Sequence, residues 1–570
     1  MCHPIRFVIE ARNLHKAAAL TLAGIMTLSL WGCGSGSGST SESSQETVTD
    51  PAGRGTVTVT MGRQTTANPK FPSGDSYEDN AYIRMTEEKL NIDIQDEFEA
   101  ESGDDYNRQV SLALSAGTLP SMMKVASKDE LTELYENELI ADLTEVYDQY
   151  ASDYVKAIYD SFDGRALANV TYDGKIMAIP ATASDAGTSM CWVRSDWVES
   201  LGLTVDEDGD RCLTLDEVRA LAKAFIDGNP EQAEHPVGIA FNASLTGGTS
   251  DGTNTINAIA YALGAYPRLW FENAAGELTY GSIEPEMKEA LSVIRSWYEE
   301  GVVDNQLGTR TWDDITSLLT NGQCGIVFGS WHIPDWLLNN VYTLNDKAVF
   351  TPYAVVSDEG KVNCTHANAT GEYVVVSADF DHPEIAIEIL NLFYDDLVND
   401  SALLEAYPDV ASYLNEGVDG TARPFNIEVK SNTYLLDEYG FLKAALAGEG
   451  TKEEIPTAEE RSNYDSIKAY QEGSGDVTGW CKIHSRTKGV DLLTYLTEND
   501  LYNWVTPVYP ETTDTMNTSW ANLQTLEEEN FIKIVTGAAP LDEGFESFVS
   551  GWKAQGGDTI IAEIKAQLEQ

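Results

Sequence analysis

Apolar and polar residues alternate from Thr56 to Met61 (Val57, Val59, Met61) and again around Ile92 and Ile94, the period-two pattern of strands with one face on a core. A helical spacing follows. Tyr106, Val110, Ala113 and Leu114 fall at i, i+4, i+7 and i+8 ahead of Gly117, and Leu215, Val218, Leu221, Ala222 and Phe225 form a similar stripe. Met287, Ala290, Leu291, Ile294, Trp297 and Tyr298, closed by Gly301, predict another helix, and Ile385, Ile389, Leu392 and Phe393 behind Asp381-His382-Pro383 predict one more. Trp197 and Trp297 lie on such stripes and are expected in the core. The short apolar runs Ile176 to Ile179, Ile326 to Phe328 and Val374 to Val376 suit strands covered on both faces. This alternation predicts an α/β protein with largely parallel sheets and helices on both sides, and the length demands two such lobes. From Asn399 to about Thr518 the pattern loosens, with helices expected near Leu403 to Leu414 and Tyr434 to Leu446 and acidic loops between them.

One run fits neither spacing. Ala17 to Leu30 is largely apolar, follows Arg6, Arg12 and Lys16, and ends at Trp31-Gly32-Cys33, which are the three regions of an export signal. It is too short to span a bilayer. Leu30-Trp31-Gly32-Cys33 resembles a lipobox, whose cysteine is diacylated and becomes the mature N-terminus. Residues 1–32 are therefore expected to be a lipoprotein signal peptide and Cys33 the lipidation site, carrying palmitate-type chains that anchor stably when there are two or more. Residues 33–54, rich in Gly, Ser, Thr and Glu, cannot repay the entropy of ordering and are expected to be a flexible tether.

Charge narrows the partners. The chain carries a formal net charge of −56, which excludes nucleic acid as a natural partner and leaves an anionic ligand dependent on some local basic exception. Beyond Cys2 and Cys33 the cysteines are Cys191, Cys212, Cys324, Cys364 and Cys481, widely spaced and without a CxxC pair. They are expected to be small buried hydrophobes with at most one or two bridges, and no zinc site is indicated. The stretch Asp206, Asp208, Asp210 to Glu217 has oxygen ligands at EF-hand positions, but Arg211 stands where that loop needs glycine, and Thr214 with Glu217 makes a helix capping box. An acidic turn followed by a helix start competes with calcium there.

Enzymatic motifs are sparse. Gly248-Thr-Ser250-Asp-Gly252 matches G-x-S-x-G, yet the mostly polar and flexible residues 244–247 stand where a nucleophile elbow needs a strand running straight into a helix. A facing glycosidase carboxylate pair cannot be picked out among so many acids. HExxH, P-loop and GxGxxG patterns are absent, and His382 is best read as helix-start chemistry before Pro383. No cofactor is expected.

Longer segments carry a resemblance. Asp105 to Gly117 with Leu119-Pro120 resembles a segment of the extracellular solute-binding lipoproteins of carbohydrate ABC importers, the LipO-type branch of family 1. Gly174 to Pro180 followed by Val193 to Trp197 and Leu201-Gly-Leu203, Ser296 to Asp304, Asn321 to Gly325 with Gly329-Ser-Trp331, His382-Pro-Glu384, Phe531 to Gly537, Trp552 and Gly556-Gly-Asp558 continue in the family's order. The segment Asp227 to Pro236 departs from it, because the alternating carboxylates of a calcium-like loop common in relatives are missing.

The resemblance implies a two-lobed periplasmic-binding-protein-like (type II) fold with a hinge and an interlobe cleft. Lobe one is expected at 55–180 plus 346–399, and lobe two at 181–345 plus 400–570 with the C-terminal helices. Sugars present an apolar face to aromatic rings and a hydroxyl rim to polar side chains. The resemblance places a sugar-stacking aromatic at Trp331, after its strand, and an acid on the ligand at Asp185, just past Pro180. Trp270 in the loop after Tyr266, Glu372 ahead of Val374, Gln64 and Asp75 after the first strand, and Ser127 after the third complete the expected ligand-binding set. The implied function is capture of a carbohydrate ligand at the extracellular face of the cytoplasmic membrane and delivery to ABC permease subunits, by a monomer that performs no reaction. A surface lipoprotein glycan hydrolase and a non-transport adhesion or sensing module remain open at this stage.

Overall fold

A computed structural model describes residues 53–101, 103–185 and 187–569, so the signal segment, Cys33 and nearly all of the expected tether lie outside the described residues. Arg54, the last residue assigned to that tether, is ion-paired with Glu384 at 3.3 Å and Glu388 at 2.5 Å.

The first sheet has five strands in the order Ile92–Ala100, Val57–Gln64, Met122–Val125, Tyr373–Val376 and Ile179–Pro180. Its first three strands are parallel, whereas Tyr373–Val376 runs antiparallel to both neighbours. The expectation of a largely parallel sheet is corrected here. The chain leaves this sheet through Pro180 and comes back at the same end through Tyr373, so the returning strand must run backwards. Burial follows the pleat: Val374 and Val376 join Val59, Met61, Met122 and Ile385 on one face, while Tyr373 and Val375 join Tyr106, Val110 and Leu131 on the other.

The second sheet orders Ile326–Gly329, Met190–Arg194, Phe350–Val355 and Cys212–Leu213, with two antiparallel pairings and one parallel. Here too the faces alternate, Cys191 and Val193 packing with Trp197, Phe225 and Ile294, and Met190 and Trp192 packing with Leu318, Leu337 and Leu492. The predicted helices flank it. Leu215–Gly228 starts at a Thr214–Glu217 capping box, buries Val218, Leu221, Ala222 and Phe225, and stops at Asn229 in the left-handed region. Val218, Leu221 and Phe225 each contribute about 1.5–3 kcal/mol on burial. Trp197 and Trp297 are in the core, as their stripes predict.

Several elements differ from their sequence expectation. The run Ile176 to Ile179 is not one strand: Asp173-Gly174, both at positive φ, turn Lys175–Ile176 back on Thr171–Tyr172, and only Ile179–Pro180 reaches the main sheet. Pro408 splits the helix expected at Leu403 to Leu414 into Ser401–Ala406 and Pro408–Glu416. Past Leu446, where the loosened pattern predicts no helix, the chain forms the helices Ala458–Gln471, Val477–His484 and Asp491–Glu498. Residues 350–355 lie in the second sheet, and Leu403, Val410, Tyr413, Phe425, Ile427 and Val429 pack in the first core, opposite to the expected boundaries at 346 and 400. The five described cysteines are all free and buried, without the one or two bridges that spacing left open. No helix among the described residues is long and apolar enough to cross a membrane.

Candidate functional site

Three segments connect the sheet cores: 181–189, 356–372 and 430–433. They bind one another side by side. Ala181 N donates to Glu372 O at 2.8 Å, Ala183 N to Ala369 O at 2.8 Å, and Thr182 N to Glu428 O at 2.7 Å, while Thr182 Oγ1 donates to Lys430 O at 2.9 Å. Asp185 ties all three together. Its carboxylate accepts from Ala367 N at 2.8 Å and Asn432 Nδ2 at 2.9 Å, meets His366 Nδ1 at 2.7 Å, and pairs with Arg165 at 3.2 Å. Burial pushes its pKa up, but the hydrogen bonds from His366 and Asn432 and the Arg165 charge outweigh that, and it sits below the ordinary carboxylate value.

Beside these crossings lies a cavity of about 270 Å³ lined from both cores. Lys128, Asn169, Asn368 and Tyr373 come from the first core and its crossing, and Gly248, Arg268, Trp270 and Tyr509 from the second. Three larger hollows, of about 300, 640 and 650 Å³, are bounded by second-core residues such as Leu203 and Glu217, Arg194 and Glu231, or Asp304 and Arg310, and no crossing segment lines them. The lining of the 270 Å³ cavity is held in place by its own bonds. Asn169 Nδ2 donates to Asn368 Oδ1 at 3.1 Å and Thr370 Oγ1 at 2.9 Å, and Tyr509 Oη donates to His366 O at 2.8 Å. The Arg268 guanidinium reaches Glu527 at 3.2 Å and Glu528 at 2.6 Å. Glu527 is fully buried; burial raises its pKa, and the Arg268 charge with hydrogen bonds from Ser282 and Tyr280 opposes the rise. The walls thus offer amides, two phenols, an indole, the Lys128 ammonium and the Arg268 guanidinium, the last already paired with Glu527 and Glu528, a set able to satisfy an uncharged, hydroxyl-rich guest.

The residues expected at the site divide on inspection. Trp270 lines the cavity, although it is in the strand Trp270–Glu272 and not a loop, and it packs in the core on Tyr280, Trp520 and Trp552. Trp331 follows Ile326–Gly329 at the crossing end of the second sheet, where Gly329 pairs with Met190. One side of its ring is covered by the Arg486 guanidinium at 4.7 Å. Gln64 ends the first strand beside Arg63 and Arg423 at a separate hollow of about 20 Å³. Glu372 is partly exposed and pairs with Lys124 at 2.7 Å, outside the cavity lining. Asp75 is held by Arg84 and the Tyr413 hydroxyl, and Ser127 caps the helix Lys128–Glu136. Asp185, as described, is spent on the crossings. Asn169, Asn368, Arg268 and Tyr509 went unnoticed in the sequence because isolated polar residues in loops carry no periodic signal.

Elsewhere, carboxylate oxygens of Asp206, Asp208 and Asp210 lie within 4.8 Å of one another. Glu217, the expected fourth ligand, instead accepts from Thr214 N and Oγ1, and Arg211 adopts the left-handed turn at φ 62° that glycine usually fills. The full EF-hand ligand set is therefore not assembled. Ser250 Oγ donates to Gly187 O at 2.7 Å and sits in no strand-to-helix elbow.

Comparison with known proteins follows the same lines. The family model for bacterial extracellular solute-binding proteins matches residues 81–410, more than half of the chain. An HMO-binding, ABC-transporter-associated solute-binding protein from Bifidobacterium longum infantis shares the fold at a TM-score of 0.55 and 14% identity, over 90% of this chain and 98% of its own. An extracellular solute-binding protein from Bifidobacterium longum subsp. infantis aligns at 0.53 and 14%, over 89% and 97%. No match is found among curated proteins. With its mixed sheets, three crossings and matched family model, the chain belongs to the bacterial extracellular solute-binding proteins.

Proposed function

We propose that the protein captures a sugar or oligosaccharide outside the cell and hands it unaltered to an ABC permease, held at the membrane by a lipid on Cys33. The observation that carries this reading is the cavity of about 270 Å³ at the crossings, lined from both cores by Asn169, Asn368, Tyr509 and the Trp270 indole. A guest there contacts both halves, so its binding energy favours a closed arrangement over an open one. This lining holds no carboxylate, in a chain of net charge −56, and meets the hydroxyls of a guest with amide and phenol groups that both donate and accept. The HMO-binding relative supports a carbohydrate guest.

A thermal-shift screen over mono- and oligosaccharides tests the reading. A ligand present at about 100 times its dissociation constant is expected to add roughly 2.7 kcal/mol of stability. Chromatography of the same mixtures is expected to return the sugars intact. A screen without any shift, or with cleaved products, would overturn the proposal.

A further inference from the structure

Beyond Trp331 the aromatic surface does not stop. The Trp331 ring meets His332 with centroids 4.8 Å apart, His332 meets Trp336 at 5.9 Å, and Trp336 stacks on Trp312 at 5.2 Å with 27° between planes. Both outer tryptophans are far more exposed than a core indole, Trp312 at 38% and Trp336 at 39%. Neither indole N–H is hydrogen-bonded to any described residue. Such a pair leaves apolar ring surface in water, which costs free energy unless something covers it, and leaves two indole donors open to a partner.

The run is built, and it starts from Trp331 at the crossing end of the second sheet, just past the Gly329–Met190 pair. Trp336 sits in the π-helical turn Pro334–Leu338 and Arg486, which backs Trp331, in the π-helical turn Ser485–Val490; such turns are frequent at functional sites. Gly489 permits the close approach, since a Cβ there would lie 2.6 Å from Trp331 O. Arg486 Nε is 2.7 Å from Glu460 Oε1, a charge contact without hydrogen-bond alignment that holds the guanidinium over the ring. At the inner end, the loop that gives Gly248 to the cavity also brings Asp251 near His332.

We propose that Trp331, His332, Trp336 and Trp312 form an outer stacking track that binds the distal residues of an oligosaccharide whose inner end occupies the cavity. The inference rests on the carbohydrate reading above and narrows it to chains longer than the cavity itself holds. An uncharged glycan fits the track because alternating apolar ring faces and hydroxyl rims match exposed indole faces with free N–H donors, and because the acidic surface disfavours an anionic partner.

The test measures dissociation constants for α-glucan, β-glucan and fructan series from disaccharide to hexasaccharide, with the full mature chain and with W312A/W336A. For the series that binds, the longest member is expected to lose about tenfold in affinity in the variant, the disaccharide less than about twofold, and W312F/W336F is expected to recover most of the loss. Unfolding midpoints of all three proteins show that the half-exposed changes leave the fold intact. Equal affinities at every length, or equal losses at every length, would overturn the track while leaving the cavity reading standing. No binding by any member of any series would remove both.

Discussion

Asp185 shows how a single carboxylate can be committed to architecture when its type and position suggest ligand chemistry. Its side chain is 6% exposed and faces Arg165, His366, the Ala367 amide and Asn432, drawn from three separated segments. Removing it leaves a partly buried cation and three unmatched polar groups, a loss of about 3–5 kcal/mol. Asp185→Ala is therefore expected to lower the unfolding free energy by that amount, read by urea denaturation. The pH dependence has a definite sign. The folded pKa is depressed, so the stabilisation is present above the unfolded value of about 3.9 and is lost as pH falls through the lower folded value. The gap between wild type and variant should be full above about pH 5 and shrink only in stronger acid. A gap that closes near neutrality would show that the carboxylate is not the group responsible.

At the scale of elements, close backbone approach decides which glycines matter. A Cβ on Gly281 would stand 1.9 Å from the Tyr266 carbonyl oxygen, while Gly440, exposed in the helix Tyr434–Ala447, has nothing within 4 Å. Gly281→Ala is expected to destabilise by about 1–3 kcal/mol, because backbone has to shift. Gly440→Ala is expected to stabilise by about 0.5–1 kcal/mol, because alanine loses less entropy in a helix. Denaturant midpoints of the two variants moving in the same direction would contradict this account. The hairpin at Asp173-Gly174 makes a related point, since its turn chemistry was present in the sequence and outweighed the apolar run that followed it.

For the whole molecule, the two sheet-centred cores and their three crossings supply the mechanics, and the proposed lipid on Cys33 would supply the address. Cys33 lies outside the described residues, and its role is tested in cells. Cys33→Ala is expected to abolish palmitate labelling and to move the protein from the membrane fraction to the soluble one, since two or more acyl chains are what make such anchoring stable. Continued labelling of the variant would rule out that attachment point. The net charge of −56 keeps the released protein soluble.

The sequence by itself determined the elements whose burial is periodic: the strands Val57–Gln64 and Ile92–Ala100, the helices Leu215–Gly228 and Pro285–Glu299, and with them the α/β class, because alternation and the 3.6-residue stripe are local consequences of backbone geometry. Ordered motifs along the chain resembled the solute-binding family that the matched model establishes. Tertiary structure decided the rest. Strand direction in the sheets depends on where the chain re-enters after a crossing, and the fate of residues 400–429 depends on which core has room for Tyr413 and Phe425. The cavity lining was hidden for the same reason: Asn169, Asn368, Arg268 and Tyr509 are distant in sequence and meet only because three crossings bring two cores to one place.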